Sequence, residues 1–290
     1  MGKASRRKNK KLRATQARRA QVPYVDRPFA GLPCEVELVA MREILPSATL
    51  PVRTTAEYGA QDVLLVTMLP EMVGALRRSD GVLMVSVRTV LNSGDASLDI
   101  ADRLIHALDL EEGQTFTQVD LPDAQGPRLA DVLDLAATGA LDVRTDLAFW
   151  IGEKEREDPN IAAAIDAARE QIIPMAEVPA IHGAFWARMQ REFVRWVRSE
   201  DEDKVLAGLA RLQNRRELSF DGARFVGAFR ASGLLIPVFE LERGTEASEL
   251  TAPMTALAAV LEKEIASEAP LTPEERRAKA GIVSRQVTLR

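Results

Sequence analysis

The 290-residue sequence predicts an α+β fold, with mixed or antiparallel sheets that carry helices packed on one face. Segments with alternating apolar residues, typical of strands, occur in both halves of the chain. Segments with apolar residues at helical spacing lie between them, without the regular strand–helix alternation of a parallel α/β protein. A basic N-terminal tail, predicted to be disordered, precedes this fold, and the pattern allows two similar α+β halves.

The tail differs from the rest of the chain in charge. Residues 1–20 hold nine Lys and Arg and no Asp or Glu, whereas residues 21–290 hold 29 basic and 43 acidic residues. The net charge of −5 therefore combines a tail of +9 with a body of −14. Charge asymmetry of this kind indicates a partner and not a fold.

The segment between tail and body cannot continue a helix, because QVPYVDRPFAGLP at residues 21–33 includes three prolines and a glycine. We interpret it as an extended strap that Tyr24 and Phe29 attach to the body. Tail and strap are assigned to residues 1–28.

The first half is assigned to residues 29–151. Helical spacing predicts a helix over Glu35–Leu45, and Pro70 favours a second, two-turn helix over EMVGALRR. The predicted strands are Ala48–Thr54, Val63–Met68 and Val82–Thr89. A helix over Ser97–Leu110, with Ser97 as N-cap, follows these strands. The remaining predicted elements of this half are a loop over 111–128, a short helix over Leu129–Leu135 and a strand over Leu141–Ile151.

A charged segment, GEKEREDPN at residues 152–160, is the predicted boundary between the halves. The alternative is a solvated loop within one domain. In the second half, 152–290, helical spacing predicts helices over Asn160–Ile173, Ile181–Gln190 and Leu250–Ile265. Capping boxes predict two more helices, one that follows Ser199–Glu202 and one that runs from Thr272–Glu275 to Gly281. The predicted strands are Glu192–Arg198, a hairpin of Phe225–Phe229 and Leu234–Leu241, and the final IVSRQVTLR.

One short repeat suggests a duplicated unit. LRRSDGVLMVSV in the first half is similar to FRASGLLIPVFEL in the second, and each begins a predicted unit of turn, strand, loop and helix.

Composition also bears on location. The single cysteine, Cys34, excludes an intramolecular disulfide and is typical of a reducing compartment. No apolar segment follows the basic start, as a signal peptide requires, and the longest apolar segments are far shorter than the roughly 20 residues that span a bilayer. We expect a cytoplasmic protein with no membrane partner.

Few residues favour metal or cofactor chemistry, and no cofactor is predicted. The two histidines, His106 and His182, are too few for a typical zinc site, and we interpret His106 as structural. Asp95, Asp99 and Asp102 are spaced to share one face at a helix start, where carboxylates can bind a hard cation. The alternative is that these carboxylates, like Glu200–Asp203, only favour the helix dipole and cap.

Nucleophile and nucleotide motifs are missing from the sequence, and Cys34 and His182 have no spacing that indicates a catalytic pair. The aromatic residues concentrate at Trp150, Phe185, Trp186, Phe193 and Trp196. We interpret these five as core residues, with a pocket lining as the alternative.

The tail supplies the candidate nucleic-acid-binding residues, which are Lys3, Arg6, Arg7, Lys8, Lys10, Lys11, Arg13, Arg18 and Arg19. Clustered cations bind phosphate backbones by releasing counterions. No aromatic residue lies among them, so base stacking by the tail is not expected. The alternative is a solubilising tail that contacts an acidic surface.

Several segments resemble an uncharacterised family of actinobacterial proteins. They are GKASRRK, RPFAGLPCEVELVAMREILPSATLPV, the SGD of residues 93–95, RWVRSEDEDKVLAGLARL, RFVGAFRASGLLIPVF and PLTPEERRAKAGIVSRQVTLR. Members of that family sometimes carry automatic labels such as topoisomerase II or preprotein translocase subunit. Neither activity has its motifs here, since no nucleotide loop or cysteine cluster is present and the only tyrosines are Tyr24 and Tyr58. The resemblance implies a cytoplasmic setting and no catalytic residues.

The sequence therefore favours a non-enzymatic protein whose tail contacts RNA, the ribosome or another polyanion, and whose body binds an unknown protein partner. The alternative is an enzyme with a carboxylate site around Asp95 and Asp99, which requires these groups to meet Arg or His in a pocket. A structural, oligomerising protein is the third hypothesis, and the sequence does not fix the oligomeric state.

Overall fold

Two sheets and seven α-helices form residues 22–284 and 287–289, which are the residues that the computed structural model describes. The basic side chains of the tail lie outside this range. The helices are α1 (Glu35–Glu43), α2 (Ala96–Ala107), α3 (Leu129–Val132), α4 (Pro159–Arg169), α5 (Glu202–Arg215), α6 (Thr251–Ile265) and α7 (Pro273–Val283). None of them is long and apolar enough to cross a membrane.

The first sheet has six strands in the order β5-β3-β4-β2-β1-β6. These strands are β1 (Ala48–Arg53), β2 (Asp62–Val66), β3 (Ala75–Arg77), β4 (Leu83–Ser86), β5 (Thr115–Phe116) and β6 (Asp142–Val143). β2 and β4 are parallel, with Leu64 opposite Met84, and all other neighbours are antiparallel.

The second sheet has seven strands, with the order β10-β11-β12-β9-β8-β7 and β13 paired in parallel with β11. These strands are β7 (Met175–Glu177), β8 (Ala184–Arg188), β9 (Glu192–Trp196), β10 (Ser219–Phe220), β11 (Ala223–Ala231), β12 (Leu234–Glu240) and β13 (Val287–Leu289). The neighbours along the main path are antiparallel. The α+β fold class is confirmed.

The two sheets share a strand order but not all strand directions. In each sheet a later hairpin (β3–β4 or β11–β12) lies beside an earlier one (β1–β2 or β8–β9), with the second strands adjacent. The repeated sequence segments correspond to these later hairpins. The adjacent strands are parallel in the first sheet and antiparallel in the second. The connections explain this difference: the helical crossover α5 brings β11 in parallel to β9, whereas a short connection reverses the chain between β2 and β3.

α1 packs in the largest apolar cluster together with residues from both sheets. Its residues Leu38, Val39 and Met41 are fully buried in this cluster, which also contains Leu50 of β1 and Ile236 of β12. A helix buried on most of its surface needs apolar residues beyond a single face. α1 therefore connects the two halves of the chain through one core.

Two further clusters cover the other faces of the sheets. On the second sheet, α5, α6 and α7 contribute Leu209, Leu261 and Ile282 to a cluster with Trp196 and Phe239. On the first sheet, a turn of 3₁₀ helix at Ala148–Trp150 places Phe149 against Val66 of β2 and Met84 of β4.

Three predicted elements are wrong. The segment after Pro70 is a 3₁₀ turn, Pro70–Met72, followed by strand β3, because its residues pair with β4 and β5. The predicted helix Ile181–Gln190 is strand β8, whose Phe185 and Trp186 enter the two different clusters on its two sides. The predicted strand Leu141–Ile151 is reduced to β6, since the 3₁₀ turn at Ala148–Trp150 follows it.

The helix starts are shifted in two cases. Asp95, not Ser97, caps α2 by accepting from Leu98 N, and Ser97 instead accepts from Leu129 N. Asp201, not Ser199, caps α5 by accepting from Lys204 N. These shifts leave the helices in the predicted places, because another short polar acceptor lies within two residues.

Several other predicted elements are confirmed. The capping box at Thr272 opens α7, with both reciprocal bonds to Glu275 present, although the helix continues past Gly281 to Val283. The predicted hairpin is formed by β11 and β12, and part of the final segment forms β13. The predicted loop 111–128 contains the short strand β5.

The strap contacts both halves. Arg27 donates to both carboxylate oxygens of Glu35, at 2.6 and 2.7 Å, and to the carbonyl of Ser199 at 2.7 Å. Asp26 pairs with Arg230 of β11. Phe29 is fully buried, as predicted, whereas the Tyr24 side chain is half exposed.

We expect Arg27→Ala to lower the free energy of unfolding by about 1–3 kcal/mol, because it leaves the largely buried Glu35 carboxylate without its guanidinium. Urea denaturation measures the change. The control is Arg27→Ala/Glu35→Ala, which removes both charges and should recover part of the loss. Equal decreases in the free energy of unfolding in the single and double variants would contradict the role of Arg27 as the partner of the Glu35 carboxylate.

Candidate functional site

An arginine-lined cavity lies where the end of α1, the segment after β4 and the first turns of α2 meet. Its volume is about 280 Å³. Three guanidinium groups and two carboxylates line it, together with apolar and neutral polar side chains. The charged residues are Arg42, Glu43, Arg88, Asp99 and Arg103. We call it the arginine cavity.

Arg103 is the most buried of these charges, with 1% of its surface exposed. Its Nε and Nη2 donate to the carbonyls of Ser86 and Val87, at 3.1 and 3.2 Å, and its Nη1 donates to Thr89 Oγ1 at 2.9 Å. These bonds attach α2 to the end of β4. Burial lowers the pKa of Arg103 to about 10, against the opposing effect of Asp99, so the guanidinium remains charged at neutral pH.

A glycine makes room for Arg103. A Cβ at Gly74 would lie 2.8 Å from Arg103 Cδ and 3.2 Å from a ring carbon of Phe116. Only a residue without a side chain fits between β3 and this arginine.

Arg88 is the least compensated charge in the cavity. Its Nη2 donates to the carbonyl of Leu45, but its buried Nε has no hydrogen-bond partner among the described residues. Burial lowers the pKa of Arg88, while the Glu43 carboxylate opposes this effect and Arg42 adds to it. A buried N–H without an acceptor is costly, so the Arg88 side chain is held in an energetically unfavourable environment.

Arg42 and Glu43 lie at the end of α1 and pair with each other, with 3.0 Å between Arg42 Nε and Glu43 Oε1. Glu43 also accepts from Ser232 Oγ at 3.4 Å. The carboxylates of Glu43 and Asp99 thus offset two of the three guanidinium charges, and the cavity keeps one net positive charge.

Asp99 is the buried carboxylate of the cavity, 2% exposed. It accepts from the backbone N–H of Ser93 at 3.1 Å. Burial raises its pKa, although the Ser93 bond and the nearby Arg103 and Arg42 act in the opposite direction. The site combines guanidinium donors for an oxyanion with a carboxyl group that can accept from a ligand.

The predicted carboxylate group is divided by the structure. Asp99 lines the arginine cavity, whereas Asp95 caps α2 and pairs with Arg128 at 2.9 Å. Asp102 accepts from Gln118 Nε2 at 3.3 Å. An enzymatic site built on Asp95 and Asp99 would have to free Asp95 from its two structural partners.

The other candidate groups are dispersed. His106 stacks on Phe116, with 4.8 Å between ring centroids, and His182 pairs with Glu37 at 2.9 Å. Cys34 is buried at the start of α1, and burial raises the pKa of its thiol to about 11. Within the described ranges, no three His, Cys, Asp or Glu side chains are placed to hold a metal ion.

The aromatic residues do not line one pocket. Phe185 belongs to the cluster around α1, Trp186 and Trp196 to the cluster of the second sheet, and Trp150 packs on the first sheet. The indole N–H groups donate to backbone carbonyls, as in Trp186 to Thr245 and Trp196 to His182. Four of these five aromatic residues therefore pack in the apolar clusters.

Sequence reasoning missed the three arginines. Their spacing along the chain gives no motif, because α1, the segment after β4 and α2 bring them together only in the folded protein. One local signal was present: Asp99 and Arg103 are four residues apart, between apolar positions of α2, which favours an i,i+4 ion pair on a buried face. The nine candidate residues of the tail, from Lys3 to Arg19, lie outside the described residues.

A family described as a family of unknown function (DUF5926) matches residues 28–290. No curated protein and no solved structure matches the chain significantly.

The buried Asp99 should make stability depend on pH. The pKa of Asp99 is higher in the folded protein than in the unfolded chain, where it is about 3.9. Its contribution to the free energy of unfolding is therefore fully present below about pH 3.9, and is lost as the pH rises through the pKa of the folded protein. Asp99→Asn lacks this titration. We expect the unfolding free energy of the wild type, relative to Asp99→Asn, to fall with rising pH by about 1.4 kcal/mol per unit of pKa shift.

Urea denaturation at a series of pH values measures this difference. Asp62→Asn, which removes an exposed carboxylate, is the control for the loss of one negative charge. A constant difference between wild type and Asp99→Asn across the pH series would contradict the assignment.

Proposed function

Since the chain belongs to this family of unknown function, we propose from the geometry of the arginine cavity that the protein is a binding protein for a small ligand with an oxyanion group, a phosphate or a carboxylate. The observation that carries the proposal is the lining of this cavity by three guanidinium groups and only two carboxylates, which leaves one net positive charge.

The energetics support an anionic ligand. A hydrogen bond that involves a charged group contributes about 1.5–3 kcal/mol, and a site shielded from water strengthens it. Arg103 is held by backbone carbonyls and its position does not depend on a ligand, so the site is preorganised. The volume of about 280 Å³ lies just below the range of small-molecule sites, about 300–1,000 Å³, and is suited to a small anion.

We expect inorganic phosphate or acetate to raise the thermal midpoint in a concentration-dependent way, as a ligand of the native state does. Titration calorimetry at low ionic strength, with phosphate and acetate in separate arms, measures affinity and distinguishes the two chemistries. Arg88→Gln should weaken binding about tenfold or more, because it removes one charged donor.

The matched control is Arg53→Gln, which removes an exposed guanidinium paired with Asp62, away from the cavity. Arg88→Lys keeps the charge and should bind more tightly than Arg88→Gln. Equal affinities for Arg88→Gln and Arg53→Gln would overturn the proposal, as would the absence of any concentration-dependent stabilisation.

A second function is favoured by the separation of charge along the sequence, +9 in residues 1–20 and −14 in the rest. We propose that the tail contacts RNA or another polyanion in the cytoplasm. The proline-containing strap supports this proposal, because it separates the cationic segment from the acidic body.

We expect deletion of residues 2–20 to abolish most RNA binding. The affinity of the full chain should fall with salt by about 0.7 in log units per neutralised phosphate and decade of salt, as for single strands. Fluorescence anisotropy at two salt concentrations measures both effects. Unchanged binding after the deletion, or binding that does not depend on salt, would refute this function.

A further inference from the structure

Asp99 places a hydrogen-bond acceptor in the lining of the arginine cavity. Its side chain is almost fully buried, and it lines the cavity together with the guanidinium groups of Arg42, Arg88 and Arg103. The nearby Arg103 and Arg42 favour the ionised form of this carboxyl group, although burial raises its pKa. An anion bound in the cavity would therefore meet a negative oxygen as well as the positive donors.

The Asp99 carboxylate can accept from a ligand in addition to its partner in the protein. Among the described residues, this partner is Ser93, whose backbone N–H lies 3.1 Å from one carboxylate oxygen and 3.3 Å from the other. A carboxylate has about four acceptor positions, more than Ser93 fills. A ligand with its own O–H group can donate to Asp99, whereas a ligand without one brings a second negative oxygen against it.

Glu43, the other carboxylate of the cavity, has direct partners of its own. One of its oxygens lies 3.0 Å from Arg42 Nε and 3.4 Å from Ser232 Oγ. A guanidinium group and a hydroxyl thus already donate to Glu43. We therefore expect Glu43 to contribute less than Asp99 to the choice of ligand.

Small tetrahedral oxyanions differ in whether they retain a proton. At neutral pH, inorganic phosphate and arsenate each keep at least one O–H group, whereas sulfate and selenate are fully ionised. A site with a buried acceptor rejects a ligand that lacks the matching donor, because the acceptor then stays unpaired. A cavity of about 280 Å³ accommodates anions of this size.

We infer that Asp99 is the specificity-determining residue of the arginine cavity, and that the ligand is an oxyanion that retains a proton, with inorganic phosphate as the simplest case. The ligand O–H donates to the Asp99 carboxylate, and the guanidinium groups donate to the ionised oxygens. This inference rests on the proposed function of oxyanion binding and names the chemistry of the ligand. Net charge alone favours the opposite order, because sulfate carries more negative charge than phosphate and the cavity is positive.

The experiment compares these anions by titration calorimetry with the full chain, at neutral pH and constant ionic strength. Phosphate and sulfate form one pair of similar size, and arsenate and selenate form a second, larger pair. We expect the anion with an O–H group to bind about tenfold or more tightly than the fully ionised anion of the same pair.

Variants of three carboxylates test the role of Asp99. Asp99→Asn keeps an acceptor oxygen for Ser93 but removes the charge, so sulfate should bind nearly as tightly as phosphate. Glu43→Gln removes one negative charge from the same cavity, and it should strengthen binding of both anions and keep most of the preference for phosphate. Asp62→Asn, which removes an exposed carboxylate away from the cavity, should behave as the wild type.

The inference is overturned if sulfate and selenate bind to the wild type as tightly as phosphate and arsenate, or if the preference persists in Asp99→Asn. In both cases, oxyanion binding that depends on Arg88 would still stand. If none of these anions binds, the proposed function fails together with the inference. The comparison of anions on the wild-type chain tests the inference even if Asp99→Asn does not fold.

Discussion

The burial of α1 between the two sheets is the constraint on which the rest of the structure depends. Most residues of this short helix are buried, and they contact core residues of both halves. Its first residue, Glu35, holds the strap through Arg27, and its last turn supplies Arg42 and Glu43 to the arginine cavity. The same helix therefore fixes the joint between the sheets, the path of the strap and one wall of the site.

Local signals predicted those elements that depend on local chemistry. α2 and α5 have apolar positions at helical spacing and a short polar cap at the start, and α7 begins with a capping box and a proline. The β11–β12 hairpin has a turn with Ser232 and Gly233. β8 was predicted as a helix, because a strand buried on both sides lacks the alternation that sequence patterns detect. The carboxylate Asp99 was a sequence candidate and Arg103 lies four residues after it on α2, but Arg42 and Arg88 come from other segments, and such convergence has no signal along the chain.

The two sheets have the same order of central strands, and the connection between their hairpins determines the strand directions. Both sheets place a later hairpin beside an earlier one in the same order. Insertion of the α5 crossover reverses the direction of the later hairpin relative to the earlier one. In the first sheet, Gly74 lies in the short connection just before β3, and its lack of a side chain leaves space for Arg103 of α2.

The reactivity of the buried Cys34 thiol depends on whether the start of α1 opens to solvent. Cys34 is buried at the start of α1, where the strap enters the core, and its thiol has a pKa of about 11. Alkylating reagents react with the thiolate, which is scarce at neutral pH in the closed protein. Reaction at Cys34 therefore requires that the start of α1 separates from its neighbours, and the alkylation rate reads the local opening of this joint in the presence and absence of any ligand.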